Sequence, residues 1–227
     1  MDERIVISNL NRNEALRYMG QADLNCDDRL ENLMDGCEAK VLSAVRPRYL
    51  YQCFDFTREE DGIHLSGTSL VLPGKDILNH LAGCEKAVLM CATLSSDVDK
   101  IIRVAELSDM LSALAIDCLA STAIEQLCDK VELKIKQDFP DYEMTWRYGV
   151  GYGDLPISLQ REFLAVMNAG KKIGLNATES YILTPRKSVT AVIGLSRDKI
   201  PPAKRGCAVC NLKGTCTYRQ KGSHCNV

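Results

Sequence analysis

The stretch Arg147-Tyr148-Gly149-Val150-Gly151-Tyr152-Gly153-Asp154-Leu155-Pro156 separates two architectures. Its alternating glycines look like the glycine-rich loop of a doubly wound α/β domain. That reading needs an apolar strand directly before the glycines and a helix opening at them. Here Met144-Thr145-Trp146 precedes, and Ile157-Ser158-Leu159-Gln160 follows only after Pro156. The doubly wound fold is therefore set aside. What the loop offers chemically is a guanidinium, an aromatic face at Tyr152 and backbone that can approach a ligand closely. Arginine suits a ligand carboxylate through a two-pronged hydrogen bond. The plain alternative is a surface loop in which Arg147 pairs with an acid.

Outward from the loop, helices and strands mix without strict βαβ alternation, which predicts an α+β fold. Upstream, residues 12–19 and 27–45 carry helical spacing, the second with Leu30, Leu33, Met34, Cys37, Val41 and Ala44 on one face. Pro47 stops that helix. Residues 48–56 read as a strand, and Asp61-Gly62 as a turn into a second strand at 63–65, giving a hairpin. Pro73-Gly74 precedes a helix through Leu78 and Leu81. Residues 87–94 (AVLMCATL) form a continuous apolar run, expected as a buried central strand. Residues 96–104 read as helical. A long helix follows, with Ser108 as the expected N-cap and Pro140 marking its end. Downstream of the loop, 157–167 is a further helix, and 181–183 and 189–195 are strands. Pro201-Pro202 is the expected boundary between a domain at 1–200 and a tail at 201–227.

The chain has 227 residues and a net charge of −2, too apolar and too weakly charged for general disorder. The N-terminus begins with acids and lacks a secretory apolar run. No segment reaches the ~18–20 uninterrupted apolar residues of a membrane span, so the expectation is a soluble cytoplasmic protein with no membrane partner. Of eleven cysteines, Cys26, Cys37, Cys53, Cys84, Cys91, Cys118 and Cys128 are scattered through apolar sequence and read as small buried hydrophobes in a reducing compartment. The other four, Cys207, Cys210, Cys216 and Cys225, follow C-x2-C-x5-C-x8-C spacing with glycines between them. Four soft ligands in one short segment suit a metal site, zinc or an iron–sulfur cluster, with His224 able to replace a cysteine. The same tail carries five bases and no acid. A basic tail can bind nucleic acid, dock on an acidic protein or offset the charge of clustered thiolates.

The loop also resembles the activation domain of cobalamin-dependent methionine synthase, a family with an Arg-x-x-x-Gly-Tyr-Pro loop. Arg147, Gly151 and Tyr152 match, while Gly153 stands where the family has proline. A second stretch, from Gly174 through Thr178-Glu179-Ser180 to Pro185, Ser188 and Val189, is similar to the family's Gly-x-x-x-Thr-Glu-Ser…Pro-x-x-Ser-Val pattern. The resemblance runs through residues 111–195. Residues 11–20 and 91–99 look like the stand-alone activation-domain-like proteins of anaerobes. The family's Asp-Trp-Thr-Pro-type N-terminal ligand segment is absent.

The resemblance implies a helical, C-shaped α+β fold with a mixed or antiparallel sheet, holding S-adenosylmethionine in a shallow groove. It implies reductive remethylation of an oxidised corrinoid carried by a methionine synthase or related methyltransferase, with an electron donor protein as a further partner. Arg147 would bind the methionine carboxylate, and the Gly149 and Gly151 backbone with Tyr152 would frame the adenosine and sulfonium. The chain would orient the methyl donor and supply no nucleophile. Asp117, Ser121 and Glu125 fall at i, i+4 and i+8 on one helix face. The family's glutamate ligand aligns with Ser121, with Glu125 one turn on. The stripe is expected to face the groove and attract the ligand's cationic groups, the alternative being a solvent-facing stripe. Hydrolysis is disfavoured, because no Gly-x-Ser-x-Gly or His-Glu-x-x-His occurs. The competing class is a non-catalytic adaptor that uses the metal-binding tail on nucleic acid or an acidic protein. A further alternative is a domain that keeps the fold without the ligand.

Overall fold

A computed structural model describes residues 5–20, 28–200 and 214–216. In chain order the elements are α1 (Arg12–Tyr18), α2 (Asp28–Ala44), β1 (Arg48–Glu59), β2 (Gly62–Leu65), β3 (Val71–Leu72), α3 (Lys75–His80), β4 (Lys86–Thr93), α4 (Ser96–Glu106) and α5 (Met110–Asp138). Then come β5 (Glu143–Met144), β6 (Tyr148–Gly149), a 3₁₀ turn (Ile157–Leu159), α6 (Gln160–Met167), α7 (Ala169–Ile173), β7 (Asn176–Ala177), β8 (Leu183–Thr184) and β9 (Ser188–Ser196).

The main sheet runs β3-β2-β1-β4-β9-β5, with β6 also paired to the outer edge of β9. Every pairing among the described strands is antiparallel. Antiparallel sheets often leave one face to water, which gives alternating sequence. Here both faces are covered. Val88, Met90, Ala92, Ala191, Ile193 and Leu195 belong to a core shared with α1, α2, α4 and α5. Ala87, Leu89, Cys91 and Val192 point the other way, into a core closed by α3, α6, α7 and the β2–β3 hairpin. Double coverage explains why β4 reads as an unbroken apolar run. The α+β expectation holds.

The long helix α5 has the length and apolar composition of a membrane span, yet it is the central core helix, packing on α1, α2, α4, β4 and β9. Its start differs from expectation by one residue. Asp109, not Ser108, is the N-cap, and its carboxylate accepts from the Leu111 and Ser112 backbone N–H groups at 3.1 and 3.2 Å. The Ser108 hydroxyl instead points back toward the Val104 and Ala105 carbonyls. Asp109→Ala is expected to lower stability by about 1 kcal/mol, while Ser108→Ala stays within about 0.5 kcal/mol. Thermal unfolding of the two variants checks the assignment.

The strand expected at 181–183 is shorter and displaced, at Leu183–Thr184. Tyr181 takes φ 64, a left-handed conformation that a strand does not use. Its N–H donates to the Thr178 carbonyl, closing a turn. Of the scattered cysteines, Cys37, Cys84, Cys91, Cys118 and Cys128 are buried, and Cys53 is partly so. Burial pushes the Cys91 thiol up to about 12, so it stays protonated and behaves as a small hydrophobe. Cys26 lies outside the described residues.

Candidate functional site at the edge of β9

The outer edge of β9 is lined by β5 and β6, with residues 145–147 linking them. The Thr145 N–H donates to the Gly194 carbonyl at 2.9 Å, and Gly194 N–H donates to Thr145 Oγ1 at 2.7 Å. This keeps the linker in extended register along β9. Side chains of extended chain alternate between faces. Trp146 and Tyr148 pack into the core on the α3 side. Arg147 therefore projects to the other face, toward α5.

There it meets three carboxylates. Arg147 Nη2 donates to Glu125 at 2.5 Å, and Nη1 donates to Asp129 at 2.8 Å and to Glu132. The Arg147 side chain is only 23% exposed. Burial alone disfavours its charge, but bonds to Glu132 and Asp129 outweigh that and raise its pKa. The guanidinium is thus permanently charged, and three acids around one base leave the locality negative. Its Nε–H has no hydrogen-bond partner among the described residues. Asp129 and Glu132 also line an open cavity of about 400 Å³ with Leu133, Lys136, Glu143 and Met144.

The stripe on α5 lies on this same side. Glu125 is one of the arginine's partners. One turn earlier, Ser121 Oγ accepts from Lys187 Nζ at 2.8 Å and donates to the Asp117 carbonyl at 3.0 Å. Lys187 also pairs with the Asp117 carboxylate at 2.9 Å. Asp117, Ser121 and Glu125 are half-buried beneath the β6 edge and the 185–188 segment, so the stripe is not simply solvent-facing. Sequence reasoning stopped at Glu125 and missed Asp129, Glu132 and Lys187. Continuing the same helical spacing one and two turns past Glu125 reaches both acids.

Beyond β6 the glycine loop folds back on itself. Gly151 N–H donates to the Leu155 carbonyl, Tyr152 N–H to the Gly149 carbonyl and Leu155 N–H to the Tyr152 carbonyl, at 3.0–3.1 Å. Tyr148 Oη donates to the Tyr152 carbonyl at 3.1 Å. Burial, then the charges of Asp76 and Asp154, push the Tyr148 phenol up to about 12, which keeps it a donor. The Tyr152 side chain covers Gly149, where a Cβ would meet its ring at 2.9 Å. Tyr152 itself is 65% exposed, so its face is open to a ligand. Gly153 has φ +53, which a proline, fixed near −65°, cannot adopt.

The structure thus sets Arg147, Gly149, Gly151 and Tyr152 along the outer edge of β9 and joins Arg147 to Glu125, while Ser121 lies one turn from Glu125 and is held by Lys187. Cys207, Cys210, Cys225 and His224 lie outside the described residues, so the expected metal site does too. Cys216, the one described member, is partly buried and forms no disulfide among the described residues.

The described residues thus form an antiparallel sheet with helices on both faces and a glycine loop beyond the outer edge of its last strand. A similar solved structure is the crystal structure of the MetH reactivation domain bound to AdoHcy, at TM-score 0.57 and 18% sequence identity. The match covers 92% of this chain and 73% of that one. At this identity the likeness establishes the fold. No family model matches the chain, and no curated protein sequence matches it.

Proposed function

We propose that this chain binds S-adenosylmethionine at the β9 edge and serves the reductive remethylation of a corrinoid held by a partner methionine synthase or related methyltransferase. The observation that carries the reading is the meeting of Arg147, the glycine loop and the acidic face of α5 in a fold whose structural neighbour holds AdoHcy. In this proposal Arg147 Nε–H and an edge of the guanidinium take the ligand carboxylate. Glu125 and its neighbouring acids attract the α-amino and sulfonium charges. Tyr152 supplies a face for the adenine, and the Gly149 and Gly151 backbone lets it sit close. On the partner's corrinoid the methyl would leave the sulfonium sulfur for cobalt reduced by one electron from the donor protein, with the thioether S-adenosylhomocysteine as leaving group, this chain contributing orientation. The corrinoid partner, an electron donor protein and a cytoplasmic setting belong to the same proposal.

One observation favours a second reading. Arg147 is already engaged by three carboxylates, so a ligand carboxylate must compete with acids of the chain itself. That arrangement fits a domain that keeps the fold without the ligand. Titrating S-adenosylmethionine into wild type and Glu125→Ala by calorimetry separates the two. The proposal expects saturable binding that Glu125→Ala weakens about tenfold, the lost contact to the ligand's cationic groups exceeding the gain from freeing Arg147, whereas a domain without the ligand binds saturably in neither chain. Unchanged affinity in Glu125→Ala removes that residue from the site.

The cysteines of the tail are proposed as a metal site on spacing alone. An absorbance spectrum of anaerobically purified protein decides their role. Visible charge-transfer bands assign an iron–sulfur cluster and make the tail a candidate carrier of the electron. A colourless protein that contains zinc makes the tail structural, and a colourless, metal-free protein removes the site.

A further inference from the structure

The helix α3 begins at a residue that cannot cap it. Its N-cap is Gly74, which has no side chain, so the first N–H groups of the helix need another acceptor. Asp154 supplies it from the far end of the glycine loop, 79 positions along the chain from Lys75. Asp154 Oδ2 accepts from Lys75 N–H at 2.7 Å, and Oδ1 accepts from Asp76 N–H at 3.1 Å. The exchange is reciprocal, because Asp76 Oδ2 accepts from Asp154 N–H at 3.3 Å. A capping box normally joins two residues of one short segment, each side chain taking the other's backbone donor. Here the box is split between α3 and the loop, and so ties one to the other.

Other restraints converge on the same point. Leu155, next to Asp154, is buried at 1% exposure in the core that also holds Ile77 of α3. Tyr148 Oη holds the Tyr152 carbonyl from beneath. Gly153, between Tyr152 and Asp154, takes a left-handed φ that brings the Asp154 carboxylate around to the helix.

We propose that Asp154 is a positioning residue for the ligand: locked across the N-terminus of α3, it fixes the loop that presents Gly149, Gly151 and Tyr152. This rests on the function proposed above, since it assigns the loop its task. Asp154 touches no ligand in this scheme. It acts through the loop, by removing the ordering entropy that binding would otherwise have to supply.

The test uses the full chain as wild type, Asp154→Ala and Asp154→Asn, with amide hydrogen exchange and calorimetric titration of S-adenosylmethionine. Asparagine keeps a capping oxygen and caps nearly as well as aspartate. Asp154→Ala is expected to speed exchange in residues 75–76 and 149–155 while β4 and β9 stay protected. Its affinity is expected to fall about five- to tenfold, the equivalent of one lost cap. Asp154→Asn, which keeps one of the two acceptor oxygens, is expected to restore part of both. Wild-type exchange in the Asp154→Ala loop overturns the proposal, as does a loosened loop with unchanged affinity. A wild-type chain that takes up no S-adenosylmethionine overturns the function itself, and the exchange pattern then still decides whether Asp154 fixes the loop.

Discussion

Replacing Arg147 with alanine is expected to abolish S-adenosylmethionine binding and to lower the stability of the chain by about 2 kcal/mol. The stability loss comes from what is left behind. Glu125, Asp129 and Glu132 converge on the guanidinium, and without it they face one another. Stranding the partners of a fully buried ion pair costs about 3–5 kcal/mol. The value here is reduced because the Asp129 and Glu125 side chains are 65% and 44% exposed and can turn toward water. For a chain of this size the loss corresponds to a melting temperature lower by about 4–8 °C. Half-molar salt should recover part of it by screening the acids. The double variant Arg147→Met with Glu132→Gln removes one base and one acid together. It should melt close to wild type and still fail to bind. Thermal unfolding and titration of both variants separate the structural role of the arginine from its role toward the ligand. Binding retained in a stable Arg147 variant contradicts the assignment.

Installing proline at position 153, which would make the loop look more like the family it resembles, is expected to damage this chain. Gly153 sits at φ +53, and proline is confined to about −65°. A Cβ at this position would also collide with the Asp76 carboxylate and with Tyr148 Oη. The backbone must therefore leave its path, carrying Asp154 away from Lys75 and Asp76 and Tyr152 away from Gly149. We expect a loss of about 2–4 kcal/mol, as for proline placed where native φ is incompatible. Ligand affinity should fall with it. Gly153→Ala tests the same strain more gently and should fall between the two. Thermal melts together with titration check the series. A Gly153→Pro chain as stable as wild type would mean that the loop does not depend on the left-handed backbone at position 153.

The two central strands were legible because both faces of the sheet are covered, so β4 is apolar at nearly every position and β9 carries the apolar run Ala191-Val192-Ile193. The helices α2 and α5 were legible from the spacing of their buried residues. The two-residue strands β3, β5 and β7 carry no such signal. Their conformation is set by the strand alongside, as when Met144 pairs with Leu195. The same limit applied to the site. Arg147, the glycines and Tyr152 stood out as residue types. The acids that hold Arg147 were half visible, since the stripe that ends at Glu125 continues in register to Asp129 and Glu132. The bond from Asp154 to α3 was invisible, because nothing local in either segment marks a partner so distant in sequence. The cap at Asp109 was misplaced because serine and aspartate both cap helices well, and only the backbone conformation selects between adjacent candidates.

The central claim is that the β9 edge takes up S-adenosylmethionine, and equilibrium binding of the full chain to radiolabelled S-adenosylmethionine tests it most directly. Saturable binding of one ligand per chain is expected, lost in Arg147→Ala and in the stable Arg147→Met/Glu132→Gln double variant. A folded wild-type chain that shows no saturable binding up to millimolar ligand would contradict it, and would leave Arg147 and its three acids as a structural ion-pair network.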